Sequence, residues 1–116
     1  MDNMKQQSSE HPLCREIALA FDLLGKKWTG PIIHVLMEGP MYFNEIERSI
    51  PELSSKMLTT RMKELESRGI VTRTVLDESP IRVEYELTEK GYGLKPIFEE
   101  IERWAERFAV SVQAER

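Results

Sequence analysis

Lys56, Thr60, Lys63 and Ser67 recur at the spacing that gathers side chains on one side of a helix, with Ser55 and Thr59 beside them. Hydroxyls exchange hydrogen bonds with base edges and ammonium groups are drawn to phosphates, so this face has the chemistry of a nucleic-acid reader. Arg82 opens a later strand and adds a guanidinium able to reach a phosphate or the minor groove. The bland alternative for each is a solvated surface, which Lys and Thr on an exposed helix face also provide.

A thiol is the second candidate. Cys14 is the single cysteine and stands near the start of the first predicted helix, where unpaired N–H groups and the helix dipole stabilise a thiolate. Arg15 adds positive charge, whereas Glu10 and Glu16 oppose ionisation; an inert core thiol is the competing reading. One cysteine cannot close an intramolecular disulfide. His11 and Cys14 are too few for a closed zinc site, so no metal or other cofactor is expected. The sequence holds no GxGxxG, P-loop or HExxH pattern and no Ser/His/Asp set, and an enzyme is not expected.

The elements that must position these groups follow from periodicity. Residues 1–12 are polar, end at His11-Pro12 and are expected as a flexible arm; residues 13–116 are expected as one domain. Ile17, Ala18, Ala20, Phe21 and Leu24 define a first helix closed by Gly25. Thr29 is expected to cap a second helix with Pro31 in its first turn, ending at Gly39-Pro40. His34, inside that apolar helix, is expected as a hydrogen-bonded core residue. Met41-Tyr42-Phe43 suggests a strand stub able to pair with the later hairpin. Phe43, Ile46 and Ile50 mark a short helix stopped by Pro51, and the helix over 54–69 follows after a tight turn. On it Leu58, Met62 and Leu65 form the buried side. Residues 70–76 and 82–87 are extended, the second alternating strictly, and the loop between them carries Pro80. Thr88 starts a last helical region weakened by Gly91, Gly93 and Pro96. Beyond it Phe98, Ile101, Trp104, Phe108 and Val112 form a wide apolar stripe. A domain this small has little internal surface to cover such a stripe, so Phe98, Ile101, Trp104 and Phe108 are expected at a dimer interface.

The expected fold is therefore α+β and mainly helical: a winged helix-turn-helix with a two- to three-stranded β-wing and dimerisation helices at either end. Length allows one such domain and no second catalytic one. No apolar run approaches the roughly 18 to 20 residues that span a bilayer, and the N-terminal stretch lacks a signal-like apolar region, so a cytoplasmic protein without membrane contact is expected. The net charge of −4 argues against nucleic acid only until it is divided: residues 54–73 carry +3 and the remainder −7. One cationic face on an acidic body favours DNA there and limits non-specific adhesion elsewhere. A winged-helix protein-interaction module without DNA contact is the alternative, but it would have no use for the cationic helix face.

Five segments in order, Leu23-Leu-Gly-Lys-Lys-Trp28, Gly39-Pro-Met-Tyr-Phe-Asn-Glu-Ile46, Lys56 to Leu65, Gly69-Ile-Val-Thr-Arg73 and Tyr85-Glu-Leu-Thr-Glu-Lys-Gly91, resemble the HxlR-type winged-helix transcriptional regulators, and in particular their thiol-sensing members. The resemblance covers about Cys14 to Phe108. It implies a homodimeric regulator, often a repressor, bound to a palindromic double-stranded operator, with 54–69 as recognition helix, 77–82 as wing, and the first and last helices forming the dimer. It also implies that Cys14 reacts with quinone-like electrophiles or oxidants. Further cysteines that act as resolving partners in some relatives are missing here, which leaves alkylation, a small thiol, or the partner's own Cys14. A DNA-binding regulator without a thiol switch stays open.

Overall fold

Pro12, with its fixed φ and missing N–H, suits the first turn of helix α1 (Pro12–Leu24) in the computed structural model, which describes residues 12–109 and the side chains of 15–108. Residues 1–11 of the expected arm and Val112 lie outside the described residues, and Pro12, expected as the last residue of the arm, belongs to α1 instead. Helix α2 (Thr29–Leu36) follows a short loop, then strand β1 (Met41–Tyr42) and helix α3 (Phe43–Ser49). Helix α4 (Ser55–Ser67) leads into strands β2 (Val71–Leu76) and β3 (Arg82–Leu87), and the last described elements are helices α5 (Glu89–Tyr92) and α6 (Lys95–Trp104) with a π-helical turn, Ala105–Ala109. Among the described residues no helix is long and apolar enough to cross a membrane.

The suggested strand stub is real: β1 pairs with β3 (Met41 opposite Tyr85), and β3 pairs with β2 from Val71 opposite Leu87 to Leu76 opposite Arg82, all antiparallel. This is a three-stranded winged helix-turn-helix. Alternation sends Tyr85 and Leu87 inward against Ile32, Ile33 and Leu36 of α2, Ile46 of α3, and Leu58, Met62 and Leu65 of α4. The three α4 residues are at most 1% exposed.

Two sequence expectations change on α2. Thr29 does not cap it; Trp28 is the N-cap residue, held in the left-handed region at φ 77°, while Thr29 is already helical and buried. His34 is exposed rather than in the core, its ring edge-on to Phe98 at 6.4 Å. Ile32, Ile33 and Leu36 claim the inner side of α2, and at about 100° per residue position 34 points away from them.

The terminal helices stand off the core. Of α1, Leu23 and Leu24 pack against it, but Ile17, Leu19 and Phe21 are 52%, 60% and 65% exposed. The weak turns expected around Gly93 and Pro96 appear as the break between α5 and α6. On α6 and beyond, Phe98 leans on the core, whereas Ile97, Ile101, Trp104 and Phe108 face outward. The opposite side of α6 is polar, and the Glu100–Arg103 ion pair at 2.6 Å there holds the Glu100 carboxyl below its ordinary range, through the hydrogen bond first and charge second.

Candidate nucleic-acid interface

Helix α3 braces α4. Glu45 accepts the backbone N–H of Tyr42 at 2.8 Å and so fixes the entry of α3, while Ser54 caps α4 by accepting the N–H of Met57 at 3.1 Å. The Ser55 hydroxyl donates to the Glu47 carboxylate across the turn between the two helices. Ser55, expected as a DNA contact, is thus engaged inside the helix-turn-helix.

Lys56, Thr59, Thr60 and Lys63 are all exposed on the side of α4 opposite Leu58, Met62 and Leu65. The hydroxyls of Thr59 and Thr60 donate back to the carbonyls of Ser55 and Lys56 at 2.9 and 3.1 Å. What they turn outward is an acceptor oxygen and a methyl group, suited to a base amino group or the thymine methyl. Lys56 and Lys63 have no ion pair among the described residues.

The other cations counted in the strip divide in a way that sequence spacing cannot reveal. Arg61 donates through Nε to the carbonyl of Lys27 at 2.8 Å and pairs with Glu64 at 3.2 Å, and Lys26 lies 3.7 Å from the same carboxylate. Arg68 pairs with Asp22 of α1 at 2.7 Å. These ties connect α4 to α1 and its loop and give Arg61 and Arg68 partners within the protein. Arg82 stacks on the Tyr42 ring, its Cζ 4.4 Å from the centroid, at the base of the wing. A cation over a ring face keeps its N–H donors, and Arg82 is exposed. Trp104 and Phe108 lie on the far terminal helix, with ring centroids 6.1 Å apart. Cys14 falls in the first turns of α1, and its side chain lies outside the described part. Among the described residues no cluster of three or more His, Cys, Asp or Glu is arranged to hold a metal.

A braced helix with an outward cationic and hydroxyl face, followed by a hairpin, defines a winged-helix DNA-binding protein of the transcription-regulator class. The chain belongs to the HxlR-like helix-turn-helix family, whose pattern it matches over residues 23–113. It is similar to the HTH-type transcriptional regulator YodB of Bacillus subtilis, 53% identical over 96 residues that make up 83% of this chain and 86% of that protein. The reduced form of YodB superposes with a TM-score of 0.74 at 54% identity, covering 82% of this chain and 93% of that one. Its quinone-bound form gives 0.73 at 52% identity over 82% and 99% of the two chains. The redox regulator HypR in its reduced form gives 0.78 at 35% identity over 85% and 98%.

Proposed function

We propose that the protein is a homodimeric, cytoplasmic, non-enzymatic repressor in which α4 enters the major groove and Lys56, Thr59, Thr60 and Lys63 contact an operator with two-fold symmetry. The observation that carries this reading is the α4 surface: its apolar side is spent on the core, while the opposite side presents hydroxyl groups and two lysines with no ion pair among the described residues. A gel-shift titration against the DNA upstream of the protein's own gene tests it. Lys56→Ala and Lys63→Ala are each expected to weaken binding several-fold and to lower the salt dependence by about one counterion per protomer. Unchanged affinity and salt slope in both would remove α4 as the contact; no binding at low salt even by the wild type would favour a protein-interaction module.

Release from DNA is proposed to follow modification of Cys14 by a quinone-like electrophile or an oxidant. The solved forms of YodB, reduced, diamide-treated and quinone-bound, support such chemistry in a relative. The ties between α1 and α4 supply a physical connection: Asp22 of α1 holds Arg68 at the end of α4, and Lys27 in the following loop holds Arg61. A shift of α1 therefore loads the reader helix directly. Cys14→Ser is expected to bind DNA as tightly as wild type and to stay bound in diamide or quinone; a mutant released as readily as wild type would dismiss Cys14 as the switch.

A further inference from the structure

Arg73 contributes to the local positive charge, and strand register gives it a definite place. Arg73 sits in β2 directly opposite Tyr85 of β3, on the side of the sheet that faces α4. It is exposed and has no ion pair among the described residues. With Lys63, Thr59 and Glu66 of α4 it lines a cleft of about 340 Å³ floored by Phe43 and Tyr85. Arg73 also borders the neighbouring groove that leads along Arg82 to the wing, so it stands where the reader helix and the wing part.

Major and minor grooves are separated by a sugar–phosphate strand. A helix lying in one groove with its hairpin over the next must straddle that strand, and the cleft between helix and hairpin is where the strand crosses. Glu66 opposes an anion there by one charge, so a single cation would leave the cleft neutral; Lys63 and Arg73 together leave it positive. We propose that Arg73 is a DNA-backbone contact, which with Lys63 grips one phosphate of the strand crossing between α4 and the wing. The proposal rests on the reading of α4 as the major-groove helix. It gives Arg73 a positioning role, because a phosphate contact sets register without carrying sequence information.

The test is fluorescence-anisotropy titration across a salt series with two duplexes, one from upstream of the protein's own gene and one of random sequence. Arg73→Ala is expected to weaken binding roughly tenfold to both duplexes and to lower the salt slope by about one per protomer, with the thermal midpoint unchanged. Arg73→Lys should keep the slope while losing part of the affinity, since the charge remains and the bidentate fork does not. Glu66→Gln should tighten binding to both. In the Lys63→Ala, Arg73→Ala double variant the loss should fall short of the two single losses combined, as expected of two groups on one phosphate. If wild type binds and Arg73→Ala binds with the same affinity and slope, this assignment falls while the reading of α4 stands. If Lys56→Ala and Lys63→Ala are also silent, both fall.

Discussion

Trp104→Glu is expected to leave the winged-helix core folded, to convert the protein to monomers at micromolar concentration, and to weaken operator binding at least about a hundredfold. Among the described residues, seven of the nine exposed large hydrophobics lie on α1 and the terminal helix: Ile17, Leu19, Phe21, Ile97, Ile101, Trp104 and Phe108. Phe21 and Ile101 line one apolar groove between α1 and α6, and so many exposed large hydrophobics on two elements are rare on a monomer unless something covers them. A second copy meeting them about a two-fold axis buries the same residues twice. Trp104 is 60% exposed, so covering it removes on the order of 100 Å² from water, about 2 to 3 kcal/mol per protomer. Lost twice, and with a carboxylate then forced into an apolar interface, this shifts the dimer constant by at least about a thousandfold. The core is spared because Trp104 touches none of the buried cluster around Leu58 and Ile32. Sedimentation velocity reads the association state and circular dichroism the fold. A variant that still sediments as a dimer and binds DNA normally would show that this face has another use.

The other two exposed hydrophobics, Val75 and Ile81, belong to the wing and lie apart from this face. Their isolation from the terminal helices separates two surfaces that composition merges. One is apolar and carried by the ends of the chain, where a partner subunit is expected. The other is cationic and carried by α4, Arg73 and the wing. Arg61 and Arg68, the cations between them, are held by Lys27 and Asp22, so α4 is tied to α1 and its loop through these two side chains. Each tie is weak by itself: the Arg68–Asp22 pair is substantially exposed, and such pairs are worth about 0 to 1 kcal/mol. Their value is in orientation.

Features governed by short-range periodicity were legible in the chain. Leu58, Met62 and Leu65 are buried as their spacing requires, and Val83, Tyr85 and Leu87 alternate inward as a strand with one core face must. Thr88 caps the helix it precedes, accepting the N–H of Gly91 at 3.1 Å. His34 is legible as well, because the helical angle set by Ile32, Ile33 and Leu36 points it outward despite the general apolarity of α2. The remaining differences depend on contacts between residues far apart in sequence. Ser55 is captured by Glu47, Arg61 by Lys27 and Arg68 by Asp22. Arg73 is brought to the cleft only by its register against Tyr85. No local pattern encodes these partners, so a charge count over 54–73 does not distinguish the cations paired within the protein from those without an ion pair among the described residues. Trp28 differs in kind: its left-handed backbone, rare for a bulky residue, is set by the turn that joins α1 to α2, and the Thr29 hydroxyl loses its capping position as a result.

Gly91→Ala is expected to destabilise the fold by about 2 kcal/mol, lowering the thermal midpoint by roughly 10 °C, even though alanine is the better helix former by about 1 kcal/mol. A Cβ at Gly91 would stand 2.5 Å from the carbonyl oxygen of Ile70 and 3.0 Å from the Leu87 side chain. Leu87 can yield, but the carbonyl cannot move freely. It accepts the Thr88 N–H at 2.9 Å and lies 3.2 Å from the Thr88 hydroxyl, whose single proton is directed mainly to the Gly69 carbonyl at 2.6 Å. Gly69 itself ends α4 in the left-handed region at φ 75°, where the chain turns into β2. The exit of the reader helix, the first residue of the wing and the start of α5 are thus fastened at one point, and Gly91 is the residue whose missing side chain lets them meet. Gly30→Ala is the control, since a Cβ there meets nothing within 4 Å and α2 should gain slightly from the substitution. Urea denaturation of the two variants separates packing from propensity. Equal stability for both would mean that the contact of Gly91 with Ile70 relaxes at no cost and that this junction does not fix the exit of α4.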